Sequence, residues 1–104
     1  MIGAPGGPYG RKPRPVVMVQ EEIWHDLTSI VVCPLTRTDS HAAILRPSIE
    51  PSASNGLEER SFVMIDKVAA MPRSQIVKVA GSIDFDTMER IDTGLAILLG
   101  LARR

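Results

Sequence analysis

The fold is decided by two short apolar runs, Val16-Val-Met-Val-Gln20 and Ser29-Ile-Val-Val-Cys33. Both are rich in β-branched residues, which favour buried β-strands. Pro15 precedes the first run, a position where a strand requires no ladder donor. The polar stretch between the runs is short, so the two strands are predicted to pair as a β-hairpin.

Further short strands are predicted downstream of this hairpin. Residues 34–40 are predicted to end the second strand and to place hydroxyl and charged side chains at the edge of the sheet. Residues 41–50 are predicted to form a looser strand, in which Pro47 indicates an edge or a bulge. Residues 51–56 have the composition of a loop. The last two strands are predicted at 62–65 and 77–83, separated by residues 71–74.

The apolar pattern changes to a helical period near the end of the chain. Apolar residues recur there at spacings of three and four, which places them on one helical face: Met88, Ile91, Leu95, Leu98, Leu99 and Ala102. Asp84 is a suitable N-cap, and Gly100 suits the C-terminal end. The pattern predicts a C-terminal helix over residues 84–102. Several strands followed by one helix indicate a mainly β (α+β) fold, a small antiparallel sheet or barrel with the helix packed on it.

Composition and size limit the classes of protein to which the chain can belong. The 104 residues suit a single domain, 1–104, and the 44% hydrophobic content indicates a folded chain. Lys plus Arg equals Asp plus Glu, 12 against 12, so no global charge attracts nucleic acid. The single cysteine and the absence of a signal-peptide pattern lead us to expect a cytoplasmic protein. No apolar run approaches the roughly 20 residues of a membrane-spanning helix.

Familiar metal and cofactor patterns are absent from the sequence. One cysteine and two separated histidines give no recognised ligand spacing, and the glycines near the start follow no strand, so we expect neither a metal nor a cofactor. His25 and His41 are possible acid–base residues, but an ordinary surface or hydrogen-bonded role suits His25 better, whereas His41 lies only three residues from Thr38. Cys33 resembles a small buried hydrophobe more than a nucleophile. Trp24 and Tyr9 can stack on bases, but packing or surface roles are more common for such residues.

Two blocks of sequence resemble the MazF/PemK toxins: Arg14-Pro-Val-Val-Met-Val-Gln20 and Val31-Val-Cys-Pro-Leu-Thr36. The similarity continues through Pro51-x-x-x-Asn55-Gly56-Leu57 and Val63-Met-Ile-Asp-Lys-Val68, and through a strand containing Gly81 that leads to a helix ending Leu99-Gly100-Leu101. It covers roughly residues 5–102. The order and spacing of the blocks carry the resemblance, since no single block is specific.

The resemblance implies an SH3-like antiparallel barrel of the CcdB/MazF type with a C-terminal helix. It also implies the toxin of a type II toxin–antitoxin system, a homodimer that cleaves single-stranded RNA in a sequence-selective way and is inhibited by a cognate antitoxin. Family members usually open with a strand carrying a Gly-Asp/Glu-Ile/Leu pattern, and only residues 1–4 stand in that place here. Residues 1–8 are therefore expected to be flexible or to form a truncated first strand, which would weaken activity.

Site residues follow from matching this sequence to the family's blocks. The family's catalytic arginine matches Arg14, and its catalytic threonine matches Thr36. The substrate's own 2′-hydroxyl attacks the phosphorus in a metal-free ribonuclease, so the protein has mainly to stabilise charge and assist proton transfer. The other residues expected to border the RNA are Tyr9, Arg11, Lys12, Thr38 and His41.

Two other functions are compatible with the same fold. A CcdB-like poison of DNA gyrase depends, in that family, on a tryptophan close to the C-terminus, and the only tryptophan here is Trp24. A non-catalytic binding module would use the groove for a peptide or nucleic acid, because SH3-like folds host many functions. Retained RNA binding without cleavage would distinguish it from an enzyme.

Overall fold

The computed structural model describes residues 2–5, 14–24 and 26–101, and in these it contains seven strands and one α-helix. The strands are β1 (Ile2–Pro5), β2 (Val16–Met18), β3 (Ser29–Thr36), β4 (Ser48–Ile49), β5 (Ser61–Val63), β6 (Ala69–Pro72) and β7 (Ile76–Gly81), and the helix is α1 (Phe85–Leu98). Short 3₁₀ turns span Glu22–Trp24, Ile65–Lys67 and Arg73–Gln75. The structure confirms the predicted mainly β fold with a C-terminal helix.

All the strand pairs among the described residues are antiparallel. The strand order is β4-β5-β3-β2-β1-β7, and β6 also pairs with β3. Strand β3 organises the sheet, because β2 lies along one side while β6 and then β5 lie along the other. Strands β4 and β7 stand at the two ends of this order. Pairing within the described part of the chain therefore leaves the barrel open.

The hairpin of β2 and β3 is confirmed, but β3 is longer than predicted. Pairing continues past Cys33 through Pro34, which lies opposite Val16. The proline has no N–H to donate, yet its carbonyl accepts a hydrogen bond of 2.8 Å from the Met64 N–H. Beyond it, the Leu35 N–H donates to the Pro15 carbonyl at 3.3 Å. The strand thus ends at Thr36 and not at Cys33.

The predicted strand at 41–50 is wrong over most of its length. Only Ser48–Ile49 is a strand, and the segment before it turns on itself. The N–H groups of Leu45 and Arg46 both donate to the Ala42 carbonyl, at 3.0 and 2.8 Å, so local bonds replace a ladder there. His41 has a positive φ of 61°, which also interrupts extended backbone.

Strand β6 was not predicted, since residues 71–74 were interpreted as a separator. Ala69–Pro72 has largely exposed side chains and no apolar alternation. Its strand conformation comes from pairing with the first half of β3, in which Val31 lies opposite Ala70. Strand β7 begins at Ile76 and ends at Gly81, close to the predicted 77–83.

The sheet buries apolar side chains on both of its faces. Alternation along β2 sends Val17 to one face and Val16 and Met18 to the other. The larger cluster consists of Ile2, Val17, Cys33, Leu35, Ile49, Val63, Ile65 and Ile91, and the smaller of Val16, Met18, Ile30 and Val32. Because Ile91 belongs to α1, the helix packs on the face of the larger cluster.

Local chemistry sets the limits of α1. The Asp84 carboxylate accepts hydrogen bonds from the Thr87 N–H at 3.3 Å and the Thr87 hydroxyl at 2.6 Å, which confirms the predicted N-cap. The helix ends at Leu98, before the predicted limit at residue 102, and Gly100 follows with φ +72°. Residue 102 lies outside the described residues.

The first strand is present and short. Ile2–Pro5 pairs with β2 on one side and β7 on the other, and Ile2 is fully buried. Its register with β7 is irregular at Gly3. Residue 1 and residues 6–8, the remainder of the segment expected to be flexible or truncated, lie outside the described residues.

Candidate functional site

A groove of about 650 Å³ opens where the start of β2 and the end of β3 meet a loop that follows β4. Its walls are formed by residues 14–15, by residues 35–38 and by residues 56–59 together with Ser61. Ile2, Gly3 and Ala80 complete the lining. The groove therefore gathers segments that are far apart in the sequence.

The register of the β2–β3 hairpin brings Arg14 and Thr36 together. Val16 lies opposite Pro34, Val17 opposite Cys33 and Met18 opposite Val32. The same register continued by two residues places Arg14 opposite Thr36, and the bond between Leu35 N–H and the Pro15 carbonyl shows that the pairing extends this far. Directly opposed residues of antiparallel strands point to the same face of the sheet. Both side chains line the groove.

A local hydrogen bond orients the Thr36 hydroxyl. Its oxygen accepts from the backbone N–H of Thr38 at 3.2 Å. A hydroxyl has one donor hydrogen in addition to its acceptor lone pairs, so this contact leaves the hydrogen for another acceptor. Thr36 is half-buried, whereas Arg14 is exposed. The pair can thus present a hydroxyl donor and a guanidinium to a bound anion.

The wall at residues 56–59 is held in place by Asn55. This buried side chain donates to the Glu50 carbonyl at 2.8 Å and accepts from the N–H groups of Ser52 and Leu57, both at 3.0 Å. The backbone N–H of Asn55 also donates to the Ser52 hydroxyl at 3.1 Å. Asn55 therefore makes four hydrogen bonds within the loop. These hydrogen bonds within the loop fix its shape.

Two glycines let this loop approach the end of β7. Gly56 has φ +70°, and a Cβ built on it would lie 2.5 Å from the Ala80 carbonyl oxygen. A Cβ on Gly81 would lie 2.3 Å from the Ser54 carbonyl oxygen. The Ser82 N–H also donates to that Ser54 oxygen at 2.8 Å. The blocks around Asn55-Gly56 and Gly81 therefore meet in space and position one wall of the groove.

The groove carries charged residues that were not among the predicted site residues. Arg37 extends the cationic side begun by Arg14, while Glu58 and Glu59 line the opposite wall. Arg37 Nε lies 3.3 Å from Glu59 Oε2. Arg37 belongs to the segment 34–40, which was predicted to place charged side chains at the edge of the sheet. The signal for Glu58 and Glu59 was only that they follow Leu57 in a block that resembles the family.

Of the other predicted site residues, the structure places one in the groove and one outside it. Thr38 lines the groove, but His41 is not among the lining residues. His41 is exposed; its N–H donates to Asp39 Oδ1 at 2.8 Å, and its Nδ1 lies 3.9 Å from Asp39 Oδ2. Trp24 is exposed and also absent from the lining. Tyr9, Arg11 and Lys12 lie outside the described residues, as does His25.

Cys33 has the environment of a core residue. Burial, and secondarily the charge of Asp66, raises the pKa of its thiol to about 11. A thiol with so high a pKa is almost entirely protonated at neutral pH, which opposes a nucleophilic role. Among the described residues, no group of three or more His, Cys, Asp or Glu side chains is arranged to hold a metal ion. No helix in this part of the chain is long and apolar enough to span a membrane.

Comparison with known proteins agrees with this architecture. Residues 3–99 match the family described as PemK-like, MazF-like toxin of type II toxin–antitoxin system. A protein of Mycolicibacterium smegmatis named probable endoribonuclease MazF is 40% identical over 96 residues, which are 92% of this chain and 88% of that protein.

Solved structures show the same fold. The Mycobacterium tuberculosis toxin MazF-mt6 superposes with a TM-score of 0.80 at 22% identity, covering 95% of both chains. An endoribonuclease from a mycobacterial species, solved in complex with its cognate antitoxin, superposes with a TM-score of 0.75 at 22% identity, covering 96% of this chain and 91% of that one.

Proposed function

The chain belongs to the family of PemK-like, MazF-like toxins of type II toxin–antitoxin systems, and from this premise we propose that it is a metal-independent, sequence-selective endoribonuclease acting on single-stranded RNA. The observation that carries the proposal is the cross-strand placement of Arg14 opposite Thr36 inside one groove. The name of the Mycolicibacterium relative, probable endoribonuclease, supports the same activity.

The reaction suited to this pair uses the substrate as its own nucleophile. The 2′-oxygen bonds to the adjacent phosphorus while the bond from phosphorus to the 5′-oxygen breaks, and a net proton passes from the 2′-hydroxyl to the 5′-oxygen. The products are a 2′,3′-cyclic phosphate and a free 5′-hydroxyl. Since the nucleophile is already attached to the reacting centre, the protein contributes orientation and charge stabilisation.

Arg14 and Thr36 have distinct roles in this scheme. The Arg14 guanidinium is a permanent cation with several donors in one plane, so it can form two hydrogen bonds to the phosphate oxygens and stabilise the charge that builds up on them. The Thr36 hydroxyl, with its oxygen already bonded to the Thr38 N–H, donates its hydrogen to a phosphate oxygen and fixes the position of the phosphorus. In this scheme Thr38 contacts the Thr36 hydroxyl, which in turn binds the phosphate.

Partners follow from the family and from the surface. An antitoxin partner is supported by the solved complex of a similar fold with its cognate antitoxin. An antitoxin segment that folds along the groove would exclude RNA, and we assign it that role. Exposed apolar residues in the last turn of α1 and just beyond it, including Ile97, Leu99 and Leu101, suit a homodimer interface. The site of action would be the cytoplasm, where RNA substrates are found.

Cleavage of a long unstructured RNA by purified protein in excess EDTA tests this proposal. Wild type should cut at a short recurrent sequence and leave cyclic phosphate ends, while Arg14→Ala and Thr36→Val should reduce cutting by at least roughly 100-fold, the usual scale for a transition-state contact. Arg60→Ala and Thr93→Val are matched controls, because both residues lie outside the groove lining. They should cut like wild type.

Three results would contradict the proposal. A folded wild type that binds RNA without cutting would make the chain a binding module. Cutting that stops in EDTA and returns with a divalent metal would overturn metal independence. Full activity in folded Arg14→Ala or Thr36→Val protein would remove the assigned residue from the mechanism, and circular dichroism on each variant would show whether it is folded.

A further inference from the structure

Two carboxylates lie in the groove where a polyanion is expected to bind. The lining contains Arg14 and Arg37, which are cationic, and Glu58 and Glu59, which are anionic. The described part of the groove is therefore electrically balanced. RNA binding draws its affinity from cations that neutralise phosphates, so a groove cation that is paired with a carboxylate must be released before it can contribute fully.

Arg37 is the cation best placed for such a release. It directly follows Thr36 and lines the same groove, so it stands beside the position assigned to the scissile phosphate. Its partner Glu59 projects from the opposite wall, and the approach of Nε to Oε2 is 3.3 Å. The two side chains are 68% and 60% exposed, so water and salt weaken their attraction.

Comparison with another ion pair shows how weakly Arg37 is held. Arg46 meets Asp66 through two hydrogen bonds of 2.7 and 3.0 Å, and the Arg46 side chain is only 16% exposed. Such a bidentate, half-buried pair is a fixed part of the structure. The pair of Arg37 and Glu59 lacks this shielding and can be separated at low cost.

We propose that Arg37 binds a substrate phosphate adjacent to the scissile one, and that Glu59 is a built-in competitor which occupies Arg37 until RNA displaces it. This inference rests on the proposed ribonuclease function. The pair screens the groove against weakly binding anions, because an incoming phosphate must first break an existing contact. An RNA strand that also binds Arg14 and Thr36 can compensate for that cost.

The chain contains a matched control for this pair. Arg60 and Glu50 form an exposed ion pair of 3.0 Å, with side chains 56% and 71% exposed, and neither residue lines the groove. Removing the Glu50 charge changes the net charge of the protein as removing the Glu59 charge does. A difference between the two variants therefore measures the effect of position and not of total charge.

The experiment is a double-mutant cycle on binding. The probe is a labelled, mixed-sequence pool of single-stranded 2′-O-methyl RNA, which cannot be cleaved because its nucleophile is blocked. Glu59→Gln should tighten binding about twofold to fivefold, the range for release of an exposed ion pair. Arg37→Gln should weaken it severalfold and reduce the slope of log K against log salt by about 0.7. Glu50→Gln should bind like wild type.

The double variant Arg37→Gln/Glu59→Gln tests whether Glu59 acts through Arg37. If Glu59 acts by occupying Arg37, Glu59→Gln should give no gain in the Arg37→Gln background. An equal gain in both backgrounds would overturn the proposal, because Glu59 would then act by repelling RNA directly. Equal binding by Glu59→Gln and Glu50→Gln would overturn it as well.

Cleavage by wild type in EDTA, run beside the binding assay, separates the two proposals. If wild type cleaves RNA and the Arg37 and Glu59 variants bind like wild type, this inference is wrong and the ribonuclease function stands. If folded wild type neither binds nor cleaves RNA, the proposed function is wrong and the inference with it. Thermal melting of each variant should match wild type, since both ion pairs are on the surface.

Discussion

The contact between Gly81 and the loop at residues 52–59 can be tested by adding one methyl group. In Gly81→Ala the new Cβ would lie 2.3 Å from the Ser54 carbonyl oxygen and 2.6 Å from the Asn55 carbonyl carbon. Both are backbone atoms, so no flexible side chain can move aside. Either β7 or the loop must shift by a substantial fraction of an ångström.

The magnitude follows from two effects. Overpacking against rigid neighbours costs roughly 1–3 kcal/mol. The shift also strains or breaks the 2.8 Å hydrogen bond from Ser82 N–H to the Ser54 oxygen, which contributes about 1 kcal/mol. The sum is about 2–4 kcal/mol, which lowers the melting temperature of a domain of this size by roughly 10–30 °C. Urea unfolding and thermal melting by circular dichroism measure it.

Gly100→Ala is the control that separates the cost of steric overlap from the cost of a left-handed backbone. Gly100 has φ +72°, but a Cβ there would have nothing within 4 Å, so only the left-handed backbone costs, about 1–2 kcal/mol. Gly56→Ala combines both penalties and should be the least stable of the three. The reasoning would be refuted if Gly81→Ala melted at or above the temperature of Gly100→Ala. Because the displaced loop forms a wall of the groove, Gly81→Ala should also lose cleavage activity at temperatures where it is still folded.

Three further predictions concern two core residues and one ion pair. Ile91→Ala should lower the free energy of unfolding by about 2–5 kcal/mol in urea titrations, because the Ile91 side chain is fully buried. The control Ile44→Ala, at an exposed position, should change it by less than about 0.5 kcal/mol. Equal effects of the two substitutions would contradict the assigned packing of α1. Cys33 should react with iodoacetamide at pH 8 only after denaturant opens the core, since burial raises its thiol pKa to about 11, and rapid labelling of native protein would argue against this burial. The Arg46 guanidinium donates hydrogen bonds to Asp66 and lowers the pKa of that carboxyl below its ordinary 3.8. The ion pair therefore stabilises the folded protein at neutral pH, and this stabilisation is lost as the pH falls through the lowered pKa. Asp66→Asn should therefore be less stable than wild type at pH 7, and the difference should narrow below about pH 4; a constant difference across that range would exclude the ion pair as its source.

Much of the site could be predicted from the sequence, because Arg14 and Thr36 lie at the same end of one hairpin. The apolar runs predicted β2 and β3, and the resemblance matched Arg14 and Thr36 to residues at their ends. Antiparallel pairing then places these residues opposite each other, provided that β3 continues past Pro34. The catalytic assignment itself stays a prediction until the variants are measured.

The acidic wall of the groove could not be predicted in the same way. Glu58 and Glu59 resemble solvated surface charges in the sequence, and only the folded loop sets Glu59 against Arg37. The loop takes that position because Asn55 braces it and because Gly81, on β7, leaves room for it. Each of these contacts joins residues that have no local relation in the chain.

The sequence by itself determined the elements whose stability is local: the β2–β3 hairpin through its apolar β-branched runs, and α1 through its helical period and the Asp84 cap. Only the tertiary structure decided the elements that depend on a distant partner. Strand β6 is extended because β3 pairs with it, and β3 continues past Pro34 because Met64 donates to the proline carbonyl. Composition and periodicity report what a segment favours alone, whereas hydrogen bonds between remote segments select among conformations that are nearly equal in local energy.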